Sequence, residues 1–147
     1  MRLFALWVHV LGAVVWLGGL VYQIHVVGPR AGQARTFAEA ARGARPYAWT
    51  ALGLTTLTGF YNVTRLGPLE RVMESGAALL LAGKFLLVLL IVALAAQRDF
   101  AQIPRLARVL TAGEDPGPAL AAIGWLDRIA MLLGVIVVYL GLAISRS

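Results

Sequence analysis

Apolar residues fall in four long runs, separated by short stretches where the arginines collect. The first run extends from about Leu3 to Val27 and closes at Pro29. The second extends from about Pro46 to Leu66, with Pro46 suited to a first helical turn and Gly67-Pro68 as its stop. The third covers about Gly76 to Gln97, and the fourth about Ala119 to Ile144. About 20 apolar residues cross the hydrocarbon of a bilayer, so each run is long enough to span it. The pattern predicts an all-α integral membrane four-helix bundle, up-down-up-down, as a single transmembrane domain over 1–147. The first run is too long for a signal-peptide core and shows no small-residue cleavage site, so it reads as a retained helix.

Three connections follow: Arg30–Arg45, Gly67–Ser75 and Arg98–Pro118. The first is Ala-rich, with Arg35, Glu39, Arg42 and Arg45 near helical spacing, and predicts an interfacial helix over about 31–45. The third ends in Glu114-Asp115-Pro116-Gly117-Pro118, which reads as a turn. Trp125 reads as an interface anchor, and Asp127 and Arg128 as boundary charges at the start of the fourth helix.

Composition agrees. Of 147 residues 60% are hydrophobic and 14% charged, with a mean hydropathy of +0.80; soluble domains carry about 25% charged residues. The net charge of +6 sits between the apolar runs, so it speaks for helix orientation and anionic lipid rather than nucleic acid. Arg30, Arg35, Arg42, Arg45, Arg98, Arg105 and Arg108 flank the first and third connections; Arg2, Arg65, Arg71 and Arg146 lie on the other side. Seven against four predicts both termini outside a cell's inner (cytoplasmic) membrane. Absence of cysteine excludes disulfides, thiolate metal sites and cysteine nucleophiles. No phosphate loop, serine triad or paired intramembrane carboxylates are evident.

Polar groups within a membrane helix are costly and usually functional. His9 lies about six residues into the first run and Lys84 about eight into the third, both roughly 10 Å from the same face at 1.5 Å per residue. Lys84 is the chain's single lysine among twelve arginines. Unlike arginine, a buried lysine can give up its proton and offer a neutral amine to a metal; otherwise it snorkels to the interface. His9, Gly12, Trp16, Gly19 and Gln23 are spaced 3, 4, 3 and 4, which puts them on one helix face. That face either leaves room beside the histidine for a flat macrocycle or serves close helix packing. On the second helix Thr55, Thr58, Gly59 and Asn62 form another polar stripe. Tyr61, Asn62 and Tyr139 reach the His9 level as donors beside a cofactor, or as belt aromatics in the case of the tyrosines. His25 lies about 24 Å from His9 on nearly the opposite side, and is an interfacial residue or a second metal or haem site. Three methionines and no cysteine make a poor copper relay.

The segment from His9 to Gly19, HVLGAVVWLGG, resembles the first helix of the superfamily joining copper-resistance protein D (CopD) domains and HemJ-type protoporphyrinogen oxidases. Leu57-Thr58-Gly59 is similar to a CopD-like second-helix signature, and Gly83-Lys84-Phe85-Leu86-Leu87-Val88 to the third-helix lysine segment. The resemblance implies a haem b, with His9 and Lys84 as iron ligands. Gln97-Arg98 stands where HemJ has a histidine, and Asp115-Pro116-Gly117-Pro118 replaces its Asn-Glu-Pro-type segment, so the outline is closer to CopD. The expected function is a b-type haem protein in redox or electron transfer. Alternatives are protoporphyrinogen oxidation, copper transport or resistance, and an assembly subunit without cofactor. The partners implied are the lipid bilayer, quinone or a redox protein, and a second copy of the chain, with no nucleic acid.

Overall fold

The computed structural model describes residues 2–64 and 77–146. The turn expected over Gly67–Ser75, with Arg65 and Arg71, lies outside them. Five helices organise the described residues: α1 (Arg2–Tyr22), α2 (Ala34–Val63), α3 (Ala77–Ala96), α4 (Ile103–Ala112) and α5 (Gly117–Arg146). The long helices α1, α2, α3 and α5 form an up-down-up-down membrane bundle. Segments Leu3–Val27, Ala78–Ala112 and Gly117–Leu142 are each long and apolar enough to cross a bilayer. The bundle is built from two pairs, α1 along α2 and α3 along α5, with α4 laid against α2 and α5.

The connections differ from expectation. The predicted interfacial helix and second span are one continuous helix, α2, and Pro46 sits well inside it rather than in its first turn. Proline cannot donate to the Arg42 carbonyl, and an interior proline costs about 3 kcal/mol. Tertiary packing offsets this: Ala34, Phe37, Ala38 and Ala41, spaced 3, 1 and 3, make one buried stripe. The third connection is also mostly helical. α3 runs through a π-type turn, Gln97–Gln102, into α4. Ile103 and Leu106 of α4 meet the α2 stripe together with Ala119, Leu120 and Ile123 of α5. A compact apolar knot thus caps one end of the bundle, where sequence pattern suggested a surface helix and a loop.

Two glycines take left-handed backbone where a chain reversal needs it. Gly28 (φ +60°) closes a π-type turn over Gln23–Val27, and Gly113 (φ +71°) ends α4. Asp115 then accepts the Gly117 N–H at 2.9 Å at the start of α5. The middle of the bundle is held by Trp16, Leu20, Ala51, Leu52, Ile91 and Ala130.

Candidate functional site

The histidine end is built on the α1–α2 crossing. Gly12 lets the helices close up: a Cβ there would collide with the Thr55 hydroxyl and lie 3.0 Å from the Ala51 carbonyl oxygen. Gly12 therefore serves helix packing, and the space over it is filled by α2 rather than open for a macrocycle. Three residues earlier on the same face, His9 is half-buried and points at the second-helix stripe. Its Nδ1 lies 2.8 Å from the Thr55 carbonyl oxygen and 3.2 Å from the Thr58 hydroxyl oxygen. A carbonyl only accepts, so Nδ1 carries the proton and donates it. The Thr58 hydroxyl is spent on the Leu54 carbonyl at 2.5 Å. Gly59 makes room for the ring, since a Cβ there would stand 3.1 Å from His9 Cε1. With Nδ1–H fixed by the backbone, the neutral ring presents Nε2 and its lone pair, the usual arrangement behind a metal-binding histidine.

Lys84 is half-buried on the other pair, with Nζ against α5: a Cβ on Gly141 would lie 3.1 Å from it. Phe60 of α2 and Phe85 of α3 stack at 4.7 Å and tie the two pairs together beside Lys84. Asn62 is half-buried in the last turn of α2. Tyr139 is 70% exposed on the outer surface of α5 and is not a donor lining the interior. His25 is exposed, with Nδ1 3.1 Å from the Val21 carbonyl of its own helical turn, and joins neither His9 nor Lys84.

The rest of the α1 stripe belongs to a different site. Trp16, Gly19 and Gln23 line a cavity of about 170 Å³ whose inner end is a buried ionic cluster. Arg98 is its hub. It donates to Asp99 at 2.6 Å, pairs with Asp127 at 2.5 Å and donates to the Gln23 side-chain oxygen. Trp49 donates its indole N–H to Asp99 at 2.9 Å, and Arg45 donates to the Asp99 carbonyl at 2.6 Å. Arg45 also lies over the Phe100 ring at 5.3 Å, against which Trp49 packs. Asp127 is 1% exposed, so it is no boundary charge; its neighbour Arg128 is exposed. Two carboxylates thus share one guanidinium inside the candidate spans, a pairing that the linear sequence hides. The π-type turn is what brings both Arg98 and Asp99 inward from adjacent positions, an arrangement such turns favour at functional sites. The signal was present: Asp127 lies as deep in the fourth run as Lys84 in the third, and the same reasoning applies to both.

Neither end gathers three or more His, Cys, Asp or Glu side chains suited to a metal ion, among the described residues. No curated protein and no solved structure matches the chain. A family model, copper resistance protein D, matches residues 38–144, which takes in α2 to α5 and leaves α1 with His9 outside the match. With the matched span covering well over half of its length, this multi-pass membrane protein belongs to the copper resistance protein D family.

Proposed function

We propose that the protein handles copper within the membrane, with His9 Nε2 as the nitrogen that meets the ion. The family model's description supplies the metal. The observation that carries the residue is the Nδ1–H bond to the Thr55 carbonyl at 2.8 Å, which fixes the tautomer and leaves Nε2 as a donor. Imidazole suits copper. Lys84, on the facing pair, would supply a second nitrogen when its amine is neutral. Seven of the flanking arginines favour the α2–α4 end as the cytoplasmic side of the inner membrane, with His9 toward the outer face.

A second reading keeps the same two residues as axial ligands of a b-type haem in electron transfer, with quinone or a redox protein as partner. Donor number favours it: two nitrogens satisfy the two axial positions of a haem iron, whereas a bare copper ion would draw further ligands. Against it stands the packing at Gly12, where α2 takes up the space that the small residue leaves on the His9 face. Protoporphyrinogen oxidation would be a special case of this reading, separated by porphyrinogen turnover.

One preparation decides among them. The protein is purified in mild detergent from cells supplied with copper and haem, and its visible spectrum and metal content are measured beside those of His9→Ala. Copper that is stoichiometric in the parent and lost from His9→Ala supports the main reading. A Soret band without copper transfers the site to haem. Neither copper nor haem, or copper retained by His9→Ala, removes His9 from metal chemistry.

A further inference from the structure

The cavity at the Arg98 end is built differently from the His9 site and is independent of it. Its walls are apolar: Trp16, Leu20, Leu52, Leu94 and Leu126 contribute to them. Its lining also includes the exposed Val15, Gly19 and Tyr47, and Val15 and Gly19 lie within the candidate span Leu3–Val27, so the cavity opens at the side of the bundle. Its inner end is polar, with Gln23, Trp49, Arg98, Asp99 and Asp127. An apolar pocket with a few convergent polar groups is the common form of a small-molecule site.

Gln23 marks the ligand's chemistry. It is 8% exposed, and its side-chain oxygen accepts from Arg98. Its amide NH2 has no hydrogen-bond partner among the described residues, although the side chain lines the cavity. The amide is thus a donor turned to the cavity, open to an acceptor on whatever enters it. Charge bears on the acceptor as well. Arg98 and Arg45 are both engaged at Asp99, and with Asp127 this group of four is balanced, so it offers no net attraction to an anionic headgroup. A neutral carbonyl needs only the amide donor. Size and shape select further. About 170 Å³ takes a single ring and no fused macrocycle, and the indoles of Trp16 and Trp49 favour a planar one. A ligand arriving from the bilayer keeps its chain in lipid.

We propose that this lateral cavity binds the head ring of a lipid-soluble quinone, with a ring carbonyl accepting from the Gln23 amide and the tail leaving past Gly19 into the bilayer.

Trp16 and Trp49 report on it directly, because quinones quench indole fluorescence. Trp7 and Trp125 are exposed and are first replaced by phenylalanine to remove collisional quenching in lipid. The probe is a decyl-substituted benzoquinone added to this background protein in nanodiscs. Saturable quenching is expected, weakened at least tenfold by Gly19→Leu. Nothing lies within 4 Å of a Cβ at Gly19, so the backbone there accepts a side chain, and an unchanged melting point of Gly19→Leu checks that the fold is kept. Gln23→Glu retains an oxygen for Arg98 while removing the amide donor, and is expected to weaken binding severalfold. Non-saturable quenching, quenching unchanged by Gly19→Leu, or equal affinity for decylbenzene would each overturn the proposal. Binding unchanged by Gln23→Glu would do the same.

Discussion

The two ends of this bundle handle polar groups in opposite ways. At the Arg98 end three charged side chains and a glutamine are buried together and tied to one another, between an apolar knot from α2, α4 and α5 and the inner end of the cavity. At the His9 end two lone basic groups sit half-buried on different helix pairs, surrounded by helices whose outer residues face lipid. Charges removed from water hold a fold only when their partners are complete. The Arg98 cluster comes close to that condition and so has the character of a structural lock. His9 satisfies only one of its nitrogens, and Lys84 has no carboxylate partner among the described residues. The difference teaches that intramembrane polarity alone does not identify a reactive site; unfinished coordination does.

The largest expected effect breaks the locked end. Arg98→Met leaves Asp99 and Asp127 buried without their shared cation. Removing one partner of a buried pair costs about 3–5 kcal/mol, so thermal unfolding in detergent should shift sharply downward. Adding Asp127→Asn should recover part of the loss, since one of the orphaned charges is then gone. A melting point unchanged by Arg98→Met would mean that the cluster is solvated and carries no structural weight.

Next comes the α1–α2 crossing, which both ends share. Gly12→Val drives a Cβ into the Thr55 hydroxyl and adds two methyl groups at a closed crossing, and overpacking of this kind costs about 1–3 kcal/mol. The Thr55 hydroxyl is itself buried without a hydrogen-bond partner. Thr55→Ala should therefore be well tolerated alone and should relieve Gly12→Ala in the double variant. Additive costs in that cycle would show that the close approach is not what Gly12 provides.

Smaller still is the stability effect of His9→Ala, and that contrast sharpens the comparison. The ring gives up one net hydrogen bond, about 1 kcal/mol, from a half-buried position. Metal retention should be lost altogether while the fold survives. Unfolding on the scale of Arg98→Met would make His9 a second structural lock.

How much of this was legible varies with the kind of information required. The long apolar runs gave α1, α3 and α5 to within a few residues, because bilayer thickness sets helix length and composition reports it. The stripe from His9 to Gln23 was found by spacing, and Gly12, Trp16 and Gln23 are indeed buried. The division of that stripe between two sites was not readable: it depends on α2 closing over Gly12 and on the cavity opening at Gly19. α2 was broken at Pro46 because local rules place proline at helix starts, and the packing of Phe37 and Ala41 against Ile103 and Leu106 overrides them. Of the two readings of Tyr139, its 70% exposure fits a belt aromatic rather than a donor beside a cofactor. Arg98, Asp99 and Asp127 were assigned to loops and boundaries, since charge at the edge of an apolar run ordinarily lies in water. The π-type turn after Ala96 reverses that expectation for Arg98 and Asp99, and Asp127 is buried against Arg98.

The smallest effect on stability and the sharpest on chemistry is expected at Lys84. Its Nζ sits beside Gly141, and the long flexible stem adapts when a neighbour changes, so substitutions here should leave the melting point nearly unchanged. What differs is the terminal group. A neutral amine ligates a metal, a thioether of similar length ligates more softly, and a guanidinium keeps its proton and does not ligate. If Lys84 meets the same metal as His9, Lys84→Met should keep the metal with an altered spectrum, and Lys84→Arg should lose it. If Lys84 instead extends toward the interface as a charge, the order reverses: Lys84→Arg behaves as the parent does, and Lys84→Met changes only yield or topology. Metal content and spectra of the two variants, taken side by side, separate the cases. A Lys84→Arg protein indistinguishable from the parent would leave His9 as the sole donor at this end. The contrast between a locked end and an open one would then rest on a single unfinished imidazole.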